Sequence, residues 1–194
     1  YNTEKTCSVS IPQITRNGWT IFGVSSNKNS HTAIPAKTVE AGKTYYAITS
    51  KKMVATFEGN GATVSNKSVS CYVYNTAETC SVSIPQITRK GWTVLGVSSN
   101  KNSHTAIPAK TVEAGKTYYA ITNKKLTLTV NGNGASVSKS GVTCNIYNND
   151  KSCKVTTPTI TRSGYSIIGF NSNANAKTAG YKINSSITLD KDKT

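Results

Sequence analysis

The sequence predicts a β-rich chain, mainly β and α+β at most, built from small disulfide-stapled repeats of 73 residues. Three observations lead there. Val and Ile outnumber Leu, and together with Thr and ten Tyr they favour pleated, half-buried strands over helices. The chain superposes on itself when slid by 73 positions. Its cysteines also recur in pairs, Cys71 with Cys80 in CYVYNTAETC and Cys144 with Cys153 in CNIYNNDKSC.

The repeat decides the organisation. Residues 1–52 match residues 74–125 with six differences: Glu4/Ala77, Lys5/Glu78, Asn17/Lys90, Ile21/Val94, Phe22/Leu95 and Ser50/Asn123. A third, diverged copy keeps the same register. The expected units are a partial repeat over 1–52 that lacks its first strands, a complete one over 53–125, and one over 126–194 that lacks its last strand. Since the chain begins inside a repeat and Tyr1 is not a start residue, it reads as an excerpt of a longer protein. No Gly/Ser or Pro linker separates the copies: YYAITSKK runs directly into MVATF. Short connections of this kind predict an elongated, semi-rigid rod.

The elements follow from local pattern. MVATF (53–57) is a strand ended by Gly59-Asn60-Gly61, a sequence returning as Gly132-Asn133-Gly134 and suited to a tight turn with positive φ. VSCYVY and TCSVSI alternate as strands. GWTVLGV (91–97) is another, with Gly96 expected at a bulge. KTYYAIT (116–122) closes the repeat. Residues 98–111 carry few regular signals and have room for at most one helical turn.

The cysteine spacing predicts a staple. Read as a hairpin with a two-residue loop, Asn75-Thr76 or Asn148-Asn149, the segment places left-handed-tolerant Asn in a type I′ turn. Cys71 and Cys80 then face each other at a non-hydrogen-bonded pair, with Cα atoms about 4.5 Å apart, at the short end of disulfide range. Val69, Cys71 and Val73 share one face, as do Cys80, Val82 and Ile84, so the bridge would lie on the apolar side. A core of about 70 residues rarely supplies more than roughly 3–5 kcal/mol, and closing a ten-residue loop adds roughly 2–3 kcal/mol. This pairing, 71–80 and 144–153, leaves Cys7 unpaired, its partner position lying upstream of Tyr1. The competing pairing joins copies, Cys7–Cys71 and Cys80–Cys144, and leaves Cys153 over. Zinc is disfavoured because each repeat offers two Cys and the shared His31 and His104 become Lys177 in the third copy. A redox pair uses closer spacing. Either disulfide scheme implies an oxidising, extracellular setting.

Lys and Arg total 23 against 8 Asp and Glu, for a net charge of +15. That balance suits an anionic partner. The Lys are nevertheless spread along the chain, and only three Arg, the usual readers of phosphate and bases, are present. Specific nucleic-acid binding is not expected, and no apolar run has the length of a membrane span. Catalytic chemistry is equally sparse. The first two copies carry only Glu4, Glu40, Glu58, Glu78 and Glu113 as carboxylates, the His positions are not kept, and neither a Gly-x-Ser-x-Gly elbow nor a phosphate loop occurs. A Lys–Asn isopeptide needs an acid beside the pair, and Glu58 becomes Asn131 in the third copy. No enzyme, cofactor or metal is therefore expected. The most position-specific charge is arginine: Arg16, Arg89 and Arg162 stand in TRNGW, TRKGW and TRSGY. Such an Arg either has a structural role, bonding turn carbonyls or stacking on the following aromatic, or forms a repeated ligand site with Trp19, Trp92 or Tyr165.

The pattern P-x-I-T-R-x-G-[WY]-x-[IV]-x-G-[VF], carried by Pro85, Arg89, Gly91, Trp92, Val94 and Gly96 and again by Pro158, Arg162, Gly164, Tyr165, Ile167 and Gly169, resembles the Listeria–Bacteroides repeat of internalin-like bacterial surface proteins. The resemblance implies tandem β-grasp-like, ubiquitin-like domains in a wall- or surface-attached protein, serving as a stalk or, in some members, as an adhesive module. The cysteine pair is not part of the usual pattern, and Val97 or Phe170 stands where the family often has Trp. The expectation is a non-enzymatic extracellular stalk, anchored at a bacterial surface, that projects a distal domain. The alternative is an adhesive module gripping anionic wall polymer or host glycan through basic and aromatic faces. Self-association is a further expectation, since the sheet of the first copy starts after its first strands.

Overall fold

The structure, a computed structural model, describes residues 7–194. The first six residues, which carry Glu4 and Lys5, lie outside the described residues. All regular structure within the described range is β. In the first copy these strands are β1 (Ser8–Ser10), β2 (Thr20–Ser25), β3 (Thr38–Glu40) and β4 (Tyr46–Glu58). The second copy adds β5 (Thr63–Val64), β6 (Ser68–Tyr74), β7 (Ser81–Ser83), β8 (Ile87–Thr88), β9 (Thr93–Ser98), β10 (Thr111–Glu113) and β11 (Thr117–Thr129). The third contributes β12 (Ser136–Val137), β13 (Gly141–Tyr147), β14 (Cys153–Thr156), β15 (Ile160–Thr161) and β16 (Ser186–Leu189). Residues 98–111, given room for one helical turn from sequence, hold no helix: Ser98 ends β9, Thr111 begins β10, and turns and bends lie between them.

The chain divides into two compact units. One holds the chain through Phe57 with Asn66–Pro85 and Ala109–Tyr118; the other holds Glu58–Ser65, Gln86–Pro108 and Tyr119–Thr194. In the first unit β4 is central. Its first half pairs antiparallel with β2, from Ser25↔Tyr46 to Thr20↔Ser50, and its second half with β6, from Ser50↔Tyr74 to Thr56↔Ser68. The boundary read between Lys52 and Met53 therefore falls inside an unbroken strand of 13 residues. Ile48, Ala55, Phe57, Val73 and Tyr118 are buried around it, and the Phe57 and Tyr118 rings stack at 5.8 Å. Val82 pairs with Val112 where β7 meets β10. Backbone bonds from Thr56 to Lys116, and from Gly115 to Val54, add the end of the second copy alongside.

The second unit repeats the scheme around β11, which pairs with β9 and then with β13. Its core gathers Leu126, Leu128, Val130, Ile146, Val155, Ile187 and Leu189. The bulge expected at Gly96 is present: the β9–β11 register shifts between Ile121 and Thr122, and Gly96 has φ 132°. A Cβ there would stand 3.0 Å from the Ala106 Cβ, so both backbone and packing call for glycine. Lys193 exchanges backbone bonds with Thr127 and Thr129, at 3.0 and 2.8 Å, as a parallel bridge beside Leu128.

Both intra-repeat disulfides form, Cys71–Cys80 and Cys144–Cys153, and Cys7 is free and exposed. The geometry around them differs from a paired hairpin. Strand β6 pairs with β4 and β7 with β10; β6 and β7 share no ladder. The Cα atoms are accordingly 6.2 and 6.0 Å apart, wider than a facing strand pair. The turn is not type I′ either, since only Asn75, not Thr76, has positive φ. Side-chain alternation tells which face a residue takes, not which strand it pairs with, and the two strands part into different sheets. The bridge is thus a tie between sheets, seated beside buried Val73 and Val82. Replacing Cys144 and Cys153 together by Ser should lower the denaturant-unfolding free energy by about 1–3 kcal/mol. Thiol titration of the unreduced wild-type chain should find Cys7 alone.

Candidate functional site

The sequence-marked arginines converge with groups that the sequence reading passed over. In the first unit the Arg16 Nη1 donates to Thr49 Oγ1 at 3.0 Å and to the Asn75 carbonyl. Its guanidinium lies 3.4 Å over the Trp19 ring. In the second unit Arg89 does the same: it donates to Thr122 Oγ1 at 2.8 Å and to the Asn148 carbonyl, and it sits 3.5 Å over Trp92. Bonding a turn carbonyl and stacking on the following aromatic, offered from sequence as either one or the other, occur together. A planar fork permits this, because its edge donates while its face stacks. Partial burial lowers the Arg89 pKa from its ordinary value, and the group stays charged at neutral pH.

Asn75 is the centre of this arrangement. Its N–H donates to the Thr49 carbonyl at 2.9 Å, and its Oδ1 accepts from the Thr49 N–H at 3.1 Å. Its Nδ2 donates to the carbonyls of Lys28 and Ser30 at 3.2 and 2.9 Å. With Arg16 on its own carbonyl, the residue has every polar group engaged. Asn148 repeats the set with Thr122, Lys101 and Ser103. Both Asn are left-handed, with φ 54° and 50°, a conformation that Asn tolerates better than other side chains. The Asn belongs to one sequence copy and its partners to the copy before it, so it locks a junction.

Neighbouring residues complete the junction. His31 stacks on Tyr74 and His104 on Tyr147, each at 4.1 Å and nearly parallel. Asn60 donates to the Lys101 and Ala120 carbonyls and accepts from Asn149. A Cβ on Gly61 would stand 2.9 Å from the Arg89 Nη1, so the Gly-Asn-Gly turn is shaped to admit the arginine. Among the described residues, no buried side-chain nitrogen or oxygen lacks a partner. The repeated Tyr-Asn of YNTEKTC, YNTAETC and YNNDKSC was the signal that could have exposed this hub.

Trp92 packs against the Leu126–Leu189 core, with its other face under Arg89. The pair is built into the fold rather than displayed. Arg162 and Tyr165 are different. The guanidinium lies 4.1 Å over the ring, but both are exposed, Tyr165 at 65%, and Arg162 makes no hydrogen bond among the described residues. Glu40 and Glu113 are taken up in ion pairs with Lys43 and Lys116, at 2.5 and 2.6 Å, and these raise the lysine pKa values. Within the described residues no three His, Cys, Asp or Glu side chains gather as a metal site, and no helix is long and apolar enough to cross a membrane. Comparison of the chain with protein-family models, with curated proteins and with solved structures finds no match.

Asn148→Ala should cost about 1–3 kcal/mol through stranded polar groups, and about 1 kcal/mol more through left-handed backbone strain. Asn148→Gly should cost only the first part, which thermal or denaturant melts resolve. Arg89→Lys should lower stability by about 1–2 kcal/mol, while Arg162→Lys, with a stack alone to lose, leaves the melt within about 0.5 kcal/mol.

Proposed function

We propose that this chain is part of a non-enzymatic tandem-repeat stalk on a bacterial cell-surface protein, holding a distal functional domain away from the cell. The carrying observation is the junction: β4 and β11 pass from one sequence copy into the next without a break, and Asn75 or Asn148 ties each junction by side-chain and backbone bonds. A function that depends on keeping successive copies in a set geometry needs both features. The disulfides point to an oxidising, non-cytoplasmic location, and wall attachment is part of the proposal. The resemblance to the Listeria–Bacteroides repeat supports the same reading, with each 73-residue copy a β-grasp-like domain. The parallel bridge of Lys193 with Leu128, which sets a late segment of the third copy beside its first strand, favours that architecture.

A second reading, an adhesive module for anionic wall polymer or host glycan, draws on the +15 charge and the open Arg162–Tyr165 pair. The two separate experimentally. For the stalk, arrays of three, six and nine copies measured by small-angle scattering should lengthen by a constant increment per copy. A maximum dimension that stops growing would overturn it. For the adhesive reading, retention on heparin or wall polymer should rise with copy number and fall with salt. No retention at physiological salt would remove it.

A further inference from the structure

Asparagine followed by glycine is a thermolabile pairing, through which a chain modifies itself. The glycine nitrogen closes on the asparagine side-chain carbon, because glycine puts no side chain in the way and accepts either sign of φ. The chain has four such pairs, Asn17-Gly18, Asn60-Gly61, Asn131-Gly132 and Asn133-Gly134. The fold restrains three of them. Asn60 donates from Nδ2 to the Lys101 and Ala120 carbonyls, at 2.8 and 3.2 Å, and its Oδ1 accepts from Asn149 at 2.9 Å. Asn133 donates to the Ala174 carbonyl at 2.9 Å, and Asn131 Oδ1 accepts from the Asn133 N–H at 2.9 Å. Their glycines are hemmed in as well. A Cβ on Gly61 would stand 2.8 Å from Asn149 Oδ1, one on Gly132 2.0 Å from the Ala135 carbonyl oxygen, and one on Gly134 3.5 Å from the Arg162 guanidinium.

Asn17-Gly18 is under no such restraint. Asn17 is exposed, and its side chain makes no hydrogen bond among the described residues. The pair forms the centre of a turn closed by the Trp19 N–H on the Arg16 carbonyl at 3.1 Å, with Gly18 at φ 72°, the type II arrangement. Beyond the adjoining residues, no heavy atom lies within 4 Å of where a Gly18 Cβ would stand. The peptide between Asn17 and Gly18 therefore has room to turn over. Gly91 and Gly164 are equally unobstructed, so the openness belongs to the turn, and the preceding residue decides its chemistry. Lys90 and Ser163 stand there in the other copies and carry no side-chain amide.

We propose that Asn17 is a self-modification site, converting to a mixture of aspartate and isoaspartate. The Gly18 nitrogen bonds to the Asn17 Cγ, the bond from Cγ to Nδ2 breaks, and ammonia leaves with the proton that Gly18 gives up. Water then opens the cyclic imide at one of its two carbonyls. Opening at the side-chain carbonyl gives aspartate, and opening at the main-chain carbonyl gives isoaspartate; nothing is oxidised or reduced. Isoaspartate routes the backbone through Cβ and Cγ, which lengthens the Arg16–Trp19 turn by one carbon. That turn sets the 3.4 Å stack of Arg16 on Trp19, and the same guanidinium bonds Thr49 Oγ1 and the Asn75 carbonyl. Modification therefore loosens the lock at Asn75 and leaves the one at Asn148 intact. This inference does not rest on the stalk reading.

The test holds the full chain in mildly alkaline buffer, which favours loss of the Gly18 amide proton. Peptide mapping by mass spectrometry, with enzymatic methylation of isoaspartate, follows each Asn-Gly pair. Asn17 should convert at least about tenfold faster than Asn60, Asn131 or Asn133, the margin that their hydrogen bonds impose. In denaturant, where those bonds are gone, the four rates should draw together. The melting temperature of the treated chain should fall, while Asn17→Lys, which copies the second repeat, keeps its own through the same treatment. Conversion of Asn60, Asn131 or Asn133 as fast as Asn17 in the folded chain would overturn the proposal. So would an Asn17 that stays intact in the folded chain after it has converted in denaturant. A melt that falls no further for the wild type than for Asn17→Lys would overturn the link to the Asn75 lock.

Discussion

The structure depends on one asparagine used in full. Asn75 and Asn148 each spend a backbone N–H, a backbone carbonyl and both side-chain atoms on the copy that precedes them. The Thr partner is thereby locked from both its N–H and its carbonyl, and the arginine is fixed by what it must reach. A polar cluster of this kind is costly when incomplete and rigid when satisfied. The absence of orphaned buried side-chain atoms among the described residues shows that it is satisfied. Arginine, tryptophan, the Gly-Asn-Gly turn and the His–Tyr stack all read as the surroundings that this asparagine requires.

The disulfide answers a different problem. A bridge between facing strands of one hairpin would only reinforce pairing that is already local. Joining β6, which belongs with β4, to β7, which belongs with β10, adds a covalent tie between layers that otherwise meet through packing and the backbone bonds of Gly115 and Lys116 to β4. The position of the cysteines on the apolar face, beside Val73 and Val82, gives the bond a place in the core.

Strand identity was legible because alternation and β-branched residues report on burial directly: MVATF, VSCYVY and GWTVLGV all appear as strands, and the Gly96 bulge follows from a glycine inside one. The bridged cysteine pairs were legible from spacing. Strand partnership was not, because a period of two says which face is buried and nothing about the neighbour; the expectation of a closed hairpin failed there. The junction was half legible. Arginine stood out as rare and fixed in position, but the role of Asn75 stayed hidden because its partners lie 26, 45, 47 and 59 residues away. An asparagine at a turn has a sufficient local explanation, and that explanation masks the distant one.

Strand β4 has a mechanical meaning. Flanked by β2 along its first half and β6 along its second, it would meet tension along its axis with ladders loaded in shear, so that many hydrogen bonds must slide together before any is lost. The sulfur bridge sets a second limit. With Cys71 and Cys80 nine positions apart, roughly 25 Å of contour stays locked out of extension in a copy whose fold has otherwise given way.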